Sequence, residues 1–254
     1  MKPDELVDDA AIEKFRAEYG QRAQALPEIA IIIPAFNEGG SIGAVIDALP
    51  AQIAGLNARA IIIVDGATDN TAREARAHGA MVCDVACNRG QGAALRLGYR
   101  IAREGGASYI LTTDADGQYE ATEADNLFAP ILSGEADFVS GSRRLGSERT
   151  KDPIRKLGVR FFAWLISFLT GTRITDPAFG LRAMRTEVTA KITLSEPQYQ
   201  AAELLIGAIA SGFRITERPA TINPRHAGKT KKGNDIFYGI QFARVVLKTW
   251  WKNR

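Results

Sequence analysis

Two unbroken β-branched runs, Ile29-Ala30-Ile31-Ile32-Ile33 and Ala60-Ile61-Ile62-Ile63-Val64, constrain this chain more than any other feature. A strand with one wet face alternates apolar and polar side chains, and these runs do not, so both faces must be covered by other layers. Helix-period segments fall between and after them: Ser41 to Leu49, Thr71 to Ala77 and Gly92 to Glu104, interleaved with strand-like Ala80–Cys83, Tyr109–Thr112 and Phe138–Ser140. This alternation predicts an α/β fold with a mainly parallel, doubly wound sheet. Ligands bind such sheets beyond the carboxyl ends of the strands.

The loops at those ends carry the chemistry. Tyr109 to Thr112 leads directly into Asp114-Ala115-Asp116-Gly117-Gln118. If the strand continues, its alternation points Asp114 and Asp116 to one side, where two carboxylates repel unless a cation lies between them. A divalent ion, Mg²⁺ or Mn²⁺, held by one or two carboxylates completes its shell with water and phosphate oxygens, so the expected ligand is a diphosphate. The competing reading is a turn in which the aspartates bond their own backbone.

Composition excludes several classes. A net charge of +3 over 254 residues is too small to argue for nucleic acid. Cys83 and Cys87 lack the neighbours of a zinc or redox motif and read as reduced core residues. The chain opens without a basic-then-apolar signal, and no stretch reaches the roughly eighteen apolar residues of a spanning helix, which predicts a cytoplasmic protein. Residues 1–27 read as an N-terminal helical appendage ending near Gly20, residues 28–235 as the catalytic domain and 236–254 as an amphipathic C-terminal helix.

Pro34-Ala35-Phe36-Asn37-Glu38, Asp65-Gly66-Ala67-Thr68-Asp69, Asn88-Arg89-Gly90-Gln91-Gly92, Asp114-Ala115-Asp116-Gly117-Gln118 and Gly141-Ser142-Arg143-Arg144 follow one another in a familiar order. Over about residues 29–235 the chain resembles the inverting nucleotide-sugar glycosyltransferases of family 2, and within them the dolichyl- or polyprenyl-phosphate mannose synthases. The resemblance implies a type A glycosyltransferase fold. It implies that Pro34, Phe36, Glu38, Asp65, Gln91, Asp114, Ala115 and Asp116 bind the nucleotide sugar, and that Asp114, Asp116 and Gln118 hold the metal. Arg143, Arg155, Arg225 and Lys231 match positions that bind phosphate, of the acceptor above all, and Asp116, Arg143, Arg225 and Lys231 carry catalysis. Asp176 and Arg182 could pair within the scaffold.

Attack by a hydroxyl requires a general base, whereas a phosphate monoester is already an anion at neutral pH. The expected reaction is therefore transfer of a hexose, mannose from GDP-mannose in the first instance, to a polyprenyl phosphate. A UDP-sugar donor, a soluble hydroxyl acceptor and a nucleotide-sugar-binding module are the alternatives. The apolar segment Phe161–Leu169 suits either a core helix or an interfacial one. The tail, with Trp250, Trp251 and terminal cations, has the composition of a helix lying on a membrane, which predicts a peripheral enzyme on the inner membrane face.

Overall fold

A computed structural model describes residues 3–150, 152–224 and 235–254. Arg225 and Lys231 therefore lie outside the described residues. The chain runs through α1 (Pro3–Tyr19), the one-turn α2 (Gln21–Gln24), β1 (Ile29–Ala35), α3 (Ile42–Asp47), the short β2 (Gln52–Ile53), β3 (Leu56–Asp65), α4 (Thr71–Ala77), β4 (Met81–Val85), α5 (Gln91–Glu104) and β5 (Tyr109–Thr112). It continues through α6 (Ala124–Leu132), β6 (Phe138–Glu148), α7 (Pro153–Thr170), β7 (Arg182–Arg185), α8 (Thr186–Lys191), α9 (Gln200–Ala210), β8 (Ile215–Ile222) and α10 (Asp235–Lys252).

Strand alternation divides the core into two layers. Ile29, Ile31 and Ile33 of β1 join Ile62 and Val64 of β3 in a cluster with Leu127 and Phe128 of α6, while Ala30, Ile32, Ile61 and Ile63 join a second cluster with Ala94 and Leu97 of α5. All are buried, as strands covered on both faces require. Helix α5 lies so close to the sheet that a Cβ on Gly98 would stand 2.3 Å from Ile32 Cγ2.

The sheet order is β2-β3-β1-β5-β7-β6-β8, with β4 also paired to β3. The β1/β3, β1/β5, β3/β4 and β6/β8 pairs are parallel, whereas β7 runs antiparallel between β5 and β6. The mainly parallel α/β sheet expected from the sequence is present, and β7 and β8 extend it beyond the strands that the pattern indicates. From β1 the chain steps outward to β3 and β4, then returns to pair β5 on the other side of β1. That reversal opens a crevice at the carboxyl ends of β1 and β5. The β1/β5 ladder stops at Ile32 and Thr112, while β1/β3 pairing runs on to Ala35 and Val64. Pro34, without an N–H to donate, thus sits where β5 has already turned away.

Two expectations change. The N-terminal helix is no appendage: α1 buries Ala11, Ile12 and Phe15 against the core that holds Met81 and Cys83, and the Tyr19 hydroxyl accepts the Val82 amide at 2.9 Å. The C-terminal helix is likewise half core, with Phe242, Val245 and Val246 fully packed and the Trp250 indole donating to the Leu169 carbonyl at 2.8 Å. Of the two cysteines, Cys83 is buried as expected and Cys87 is exposed in the loop after β4. Among the described residues no helix is long and apolar enough to cross a membrane.

Candidate functional site

Three loops meet at the switch point. The loop after β1 is tied to the one after β3 by bonds from the Glu38 amide to Thr71 Oγ1 (2.8 Å), from the Gly39 amide to Asp69 Oδ2 (3.0 Å) and from the Thr68 amide to Asn37 Oδ1 (2.8 Å). The loop after β3 in turn presses on the one after β4. A Cβ on Gly66, whose φ is +68°, would lie 2.2 Å from the Asn88 amide nitrogen, so glycine is required both for the turn and for the approach. Ser41 connects this frame to the acidic loop after β5 by donating to the Ala115 carbonyl at 2.9 Å.

That acidic loop is a turn rather than a continued strand. Strand β5 ends at Thr112, Asp114 follows outside any regular element, and Ala115 and Asp116 form a turn closed by Gly117 at φ +72°. The carboxylates are therefore placed by turn geometry and not by strand alternation, which is where the sequence expectation fails. Asp116 is buried, and its Oδ1 accepts the Gln118 amide at 3.1 Å. Asp114 faces the crevice, its Oδ1 accepting from Gln91 Nε2 at 3.0 Å. Gln118 is buried as well; its Nε2 donates to the Asn223 carbonyl, which leaves the amide oxygen as the side-chain atom outside that bond. Among the described residues no group of three or more His, Cys, Asp and Glu side chains stands ready to enclose a metal. Two carboxylates and an amide oxygen in one loop are instead the donor types of an open site that leaves coordination positions for phosphate oxygens, with Asp114 the one of the three that lines the crevice.

The crevice holds about 570 Å³ of open space, and its lining includes Pro34, Gln91, Asp114, Tyr119, Arg182 and Tyr199. Among the described lining residues Asp114 is the one carboxylate. Arg182 does not pair with Asp176. It is buried in β7 with a 3.5 Å bond from Nη2 to the Pro177 carbonyl, and burial lowers its pKa against the pull of Tyr99, Tyr119 and Asp114. Tyr119 beneath the crevice accepts the Gly180 amide at 2.9 Å, and burial raises its pKa. Tyr199 holds a left-handed backbone at φ +63°, an uncommon conformation for a bulky residue, and packs on Tyr238 at 4.7 Å between centroids. Burial pushes the Tyr238 hydroxyl up to about 12, with Tyr199 and Asp114 adding to the rise and Arg155 and Arg143 opposing it.

Asp65 and Arg143 both make bonds inside the protein, each with one side-chain atom left outside them. Asp65 Oδ2 accepts the amides of Arg89 and Gly90, both at 2.8 Å, so this oxygen shapes the loop after β4. Burial raises its pKa against these bonds, and its Oδ1 has no hydrogen-bond partner. Arg89 reaches Asp8 of α1 at 2.8 Å, which draws the N-terminal helix into the support of this loop. Arg143, expected on a phosphate, is locked to Asp176 by Nε at 2.6 Å and lies over the Phe179 ring at 5.6 Å. Burial opposes its charge, and Asp176 together with Tyr119 and Glu148 outweighs that, raising the pKa. Its Nη1 alone is buried without a partner.

Phe36 and Glu38 lie in the loop after β1, where Glu38 Oε2 accepts the Ser41 hydroxyl at 3.0 Å. Ala115 is buried in the core, so what it offers the site is backbone. Arg155 opens α7, its amide capped by Asp152 Oδ1 at 2.9 Å. Sequence reasoning missed Ser41, Arg89, Tyr119 and Tyr199 and gave Arg182 a scaffold role. Their partners are far away in sequence, and the one local sign was the clustering of Gly180 and Arg182 behind Asp176.

The chain matches the profile of Glycosyl transferase family 2 over residues 30–193. It is 31% identical over 210 residues to the Dolichyl-phosphate hexose transferase of Haloferax volcanii, an alignment covering 80% of this chain and 86% of the relative. It is 30% identical over 226 residues to the Polyprenol monophosphomannose synthase of Mycolicibacterium smegmatis, covering 81% and 82%. Among solved structures, glucosyl-3-phosphoglycerate synthase from Mycobacterium tuberculosis, in complex with Mn²⁺, UDP-glucose and phosphoglyceric acid, superposes with a TM-score of 0.69 at 21% identity, covering 94% of this chain and 83% of that one. The fold is that of a type A glycosyltransferase.

Proposed function

Because the chain belongs to glycosyl transferase family 2, we propose that it transfers a hexosyl group from a nucleotide sugar, GDP-mannose first and a UDP-sugar second, to a polyprenyl phosphate. The observation that carries the acceptor is the single carboxylate, Asp114, among the described residues lining the crevice, already engaged by Gln91. A hydroxyl acceptor would need a second carboxylate as base, and a phosphate monoester needs none. The relatives named for dolichyl phosphate and polyprenol support the same acceptor.

Asp114, Asp116 and the amide oxygen of Gln118 would hold Mg²⁺ or Mn²⁺, which when bound neutralises the leaving diphosphate. Pro34 and Gln91, which line the crevice, and Phe36 and Glu38 in the loop after β1 would form the nucleotide side, with Asp65 holding the backbone of the loop after β4. Arg143, whose Nη1 is buried without a hydrogen-bond partner, would be a donor to the acceptor phosphate. Arg155 near the start of α7, Arg225 and Lys231 join it through the family resemblance. Such donors cost little to reorganise when they are already fixed, so they align the phosphate oxygen for in-line attack at the anomeric carbon. The lipid acceptor places the enzyme peripherally on the cytoplasmic face of a membrane.

The test is transfer from radiolabelled GDP-mannose, UDP-glucose and UDP-N-acetylglucosamine to polyprenyl phosphate, free polyprenol and soluble glycans, with Mn²⁺ present. Labelling confined to polyprenyl phosphate is expected. Labelling of a hydroxyl acceptor alone would refute the reading.

A further inference from the structure

Ile154, Leu157, Phe161, Trp164 and Phe168 recur along α7 at alternating steps of three and four residues. At 100° per residue they occupy a sector of about 80°. The opposite side of the helix, Val159, Ala163 and Ile166, is buried in the domain, yet these five are 62%, 69%, 51%, 60% and 73% exposed. Trp164 and Phe168 stack at 5.8 Å with an angle of 14° between rings, and Phe161 adjoins Trp164 at 6.2 Å. A continuous exposed apolar ridge of this kind marks an interaction surface.

We infer that this ridge is the face by which the protein docks on an anionic lipid bilayer, an inference that rests on the lipid-acceptor reading above. Charge complementarity identifies the occupant. Helix α7 carries Arg155, Lys156 and Arg160 and no acidic residue. Of these Arg160 flanks the ridge, and with no acidic residue on the helix two copies meeting along the ridge would bring like charges together, whereas anionic headgroups attract them. Helix α10 packs beside α7, with Phe162 and Phe242 rings 4.6 Å apart, and exposes Ile240, Leu247 and Trp251 together with Lys252, while Lys248 is held by Glu196 at 2.6 Å. An apolar face with basic residues beside it is the pattern of a helix lying in the headgroup region.

The ridge also connects to the crevice. Tyr238 and Phe242 line the crevice, and from Phe242 the rings continue through Phe162 at 4.6 Å and Phe161 at 5.2 Å to Trp164. An acceptor whose phosphate sits in the crevice can leave its isoprenoid chain along this aromatic row without crossing water. Docking by the ridge sets the crevice at headgroup depth, where that phosphate resides.

The experiment is co-sedimentation with phosphatidylcholine vesicles, with and without phosphatidylglycerol, across a salt series. Wild type is expected to bind the mixed vesicles, less so as salt rises, and Trp164→Ala/Phe168→Ala to bind roughly tenfold more weakly with an unchanged melting temperature. Trp164→Glu should do the same. Transfer to a short, water-soluble prenyl phosphate should be equal in wild type and variant, while transfer to long-chain acceptor in vesicles falls in the variant. Equal vesicle binding by wild type and both variants overturns the proposal. So does a wild-type dimer, by light scattering, that the substitutions dissociate while no vesicle binding occurs. If ridge-dependent vesicle binding holds but no prenyl phosphate is glycosylated, docking stands and the acceptor reading falls.

Discussion

Breaking the Arg143–Asp176 pair separates a structural role from a chemical one. The side chains are 2% and 0% exposed, and Asp176 Oδ2 accepts Arg143 Nε at 2.6 Å and the Arg143 backbone amide at 3.2 Å. Asp176→Leu leaves a buried guanidinium with only the Phe179 face and weaker charges around it, and Arg143→Met leaves a buried carboxylate. Each single change should destabilise the fold by about 3–5 kcal/mol, because an unpaired charge in a dry interior costs more than the pair gains. For a chain of this size that is a fall of roughly 6–20 °C in melting temperature. Replacing both partners removes both desolvation costs, so the double variant should recover to within about 1–2 kcal/mol of wild type. Urea unfolding followed by circular dichroism gives the four free energies and a coupling of at least about 3 kcal/mol. Glycosyl transfer should nevertheless stay abolished in the double variant, because Arg143 Nη1 is gone. Two results refute the reasoning: additive losses of about 6–10 kcal/mol in the double variant, or a stable double variant with wild-type turnover, which would make the pair scaffold alone.

Three further outcomes follow from the geometry. Asp116→Ala should abolish transfer with the fold intact, and chelator should silence wild type until Mn²⁺ is returned; near-normal turnover of the variant excludes the metal role. Gly66→Ala places a Cβ 2.2 Å from the Asn88 amide nitrogen at φ +68°, so it should cost roughly 2 kcal/mol or more in urea unfolding and weaken nucleotide binding in calorimetry. Burial raises the Glu217 pKa above its ordinary 4.5, so the folded state binds that proton more tightly than the unfolded chain. Its contribution is then fully present below pH 4.5 and is lost as pH rises through the folded value, so the melting temperature of wild type relative to Glu217→Gln should fall between pH 4 and 7 in scanning calorimetry, and a difference constant with pH contradicts it.

The β-branched runs and the loops that follow them determine the sheet, its two covering layers and the end at which ligands bind. These signals are local: burial on both faces is written in consecutive residues, and Asp114, Gln91 and Pro34 line the crevice, with Asp116 buried two residues further along the same loop. Position within the crevice is another matter. Asp65 and Arg143 have the residue types of ligand contacts, but the fold sets Asp65 against the Arg89 and Gly90 amides and Arg143 against Asp176, thirty-three residues away. Such partners are chosen by packing across the sheet, and no spacing in the chain encodes them.

Helices α1, α7 and α10 make the same point from the surface. Their sequences give an appendage, an ambiguous apolar segment and a membrane-type tail, because amphipathicity states that one face is apolar without stating what covers it. Tertiary structure spends α1 on the core, turns Trp250 inward and leaves the α7 ridge bare. Composition alone determined that these helices need a partner; only the packing of the neighbouring elements decided which faces found one inside the domain.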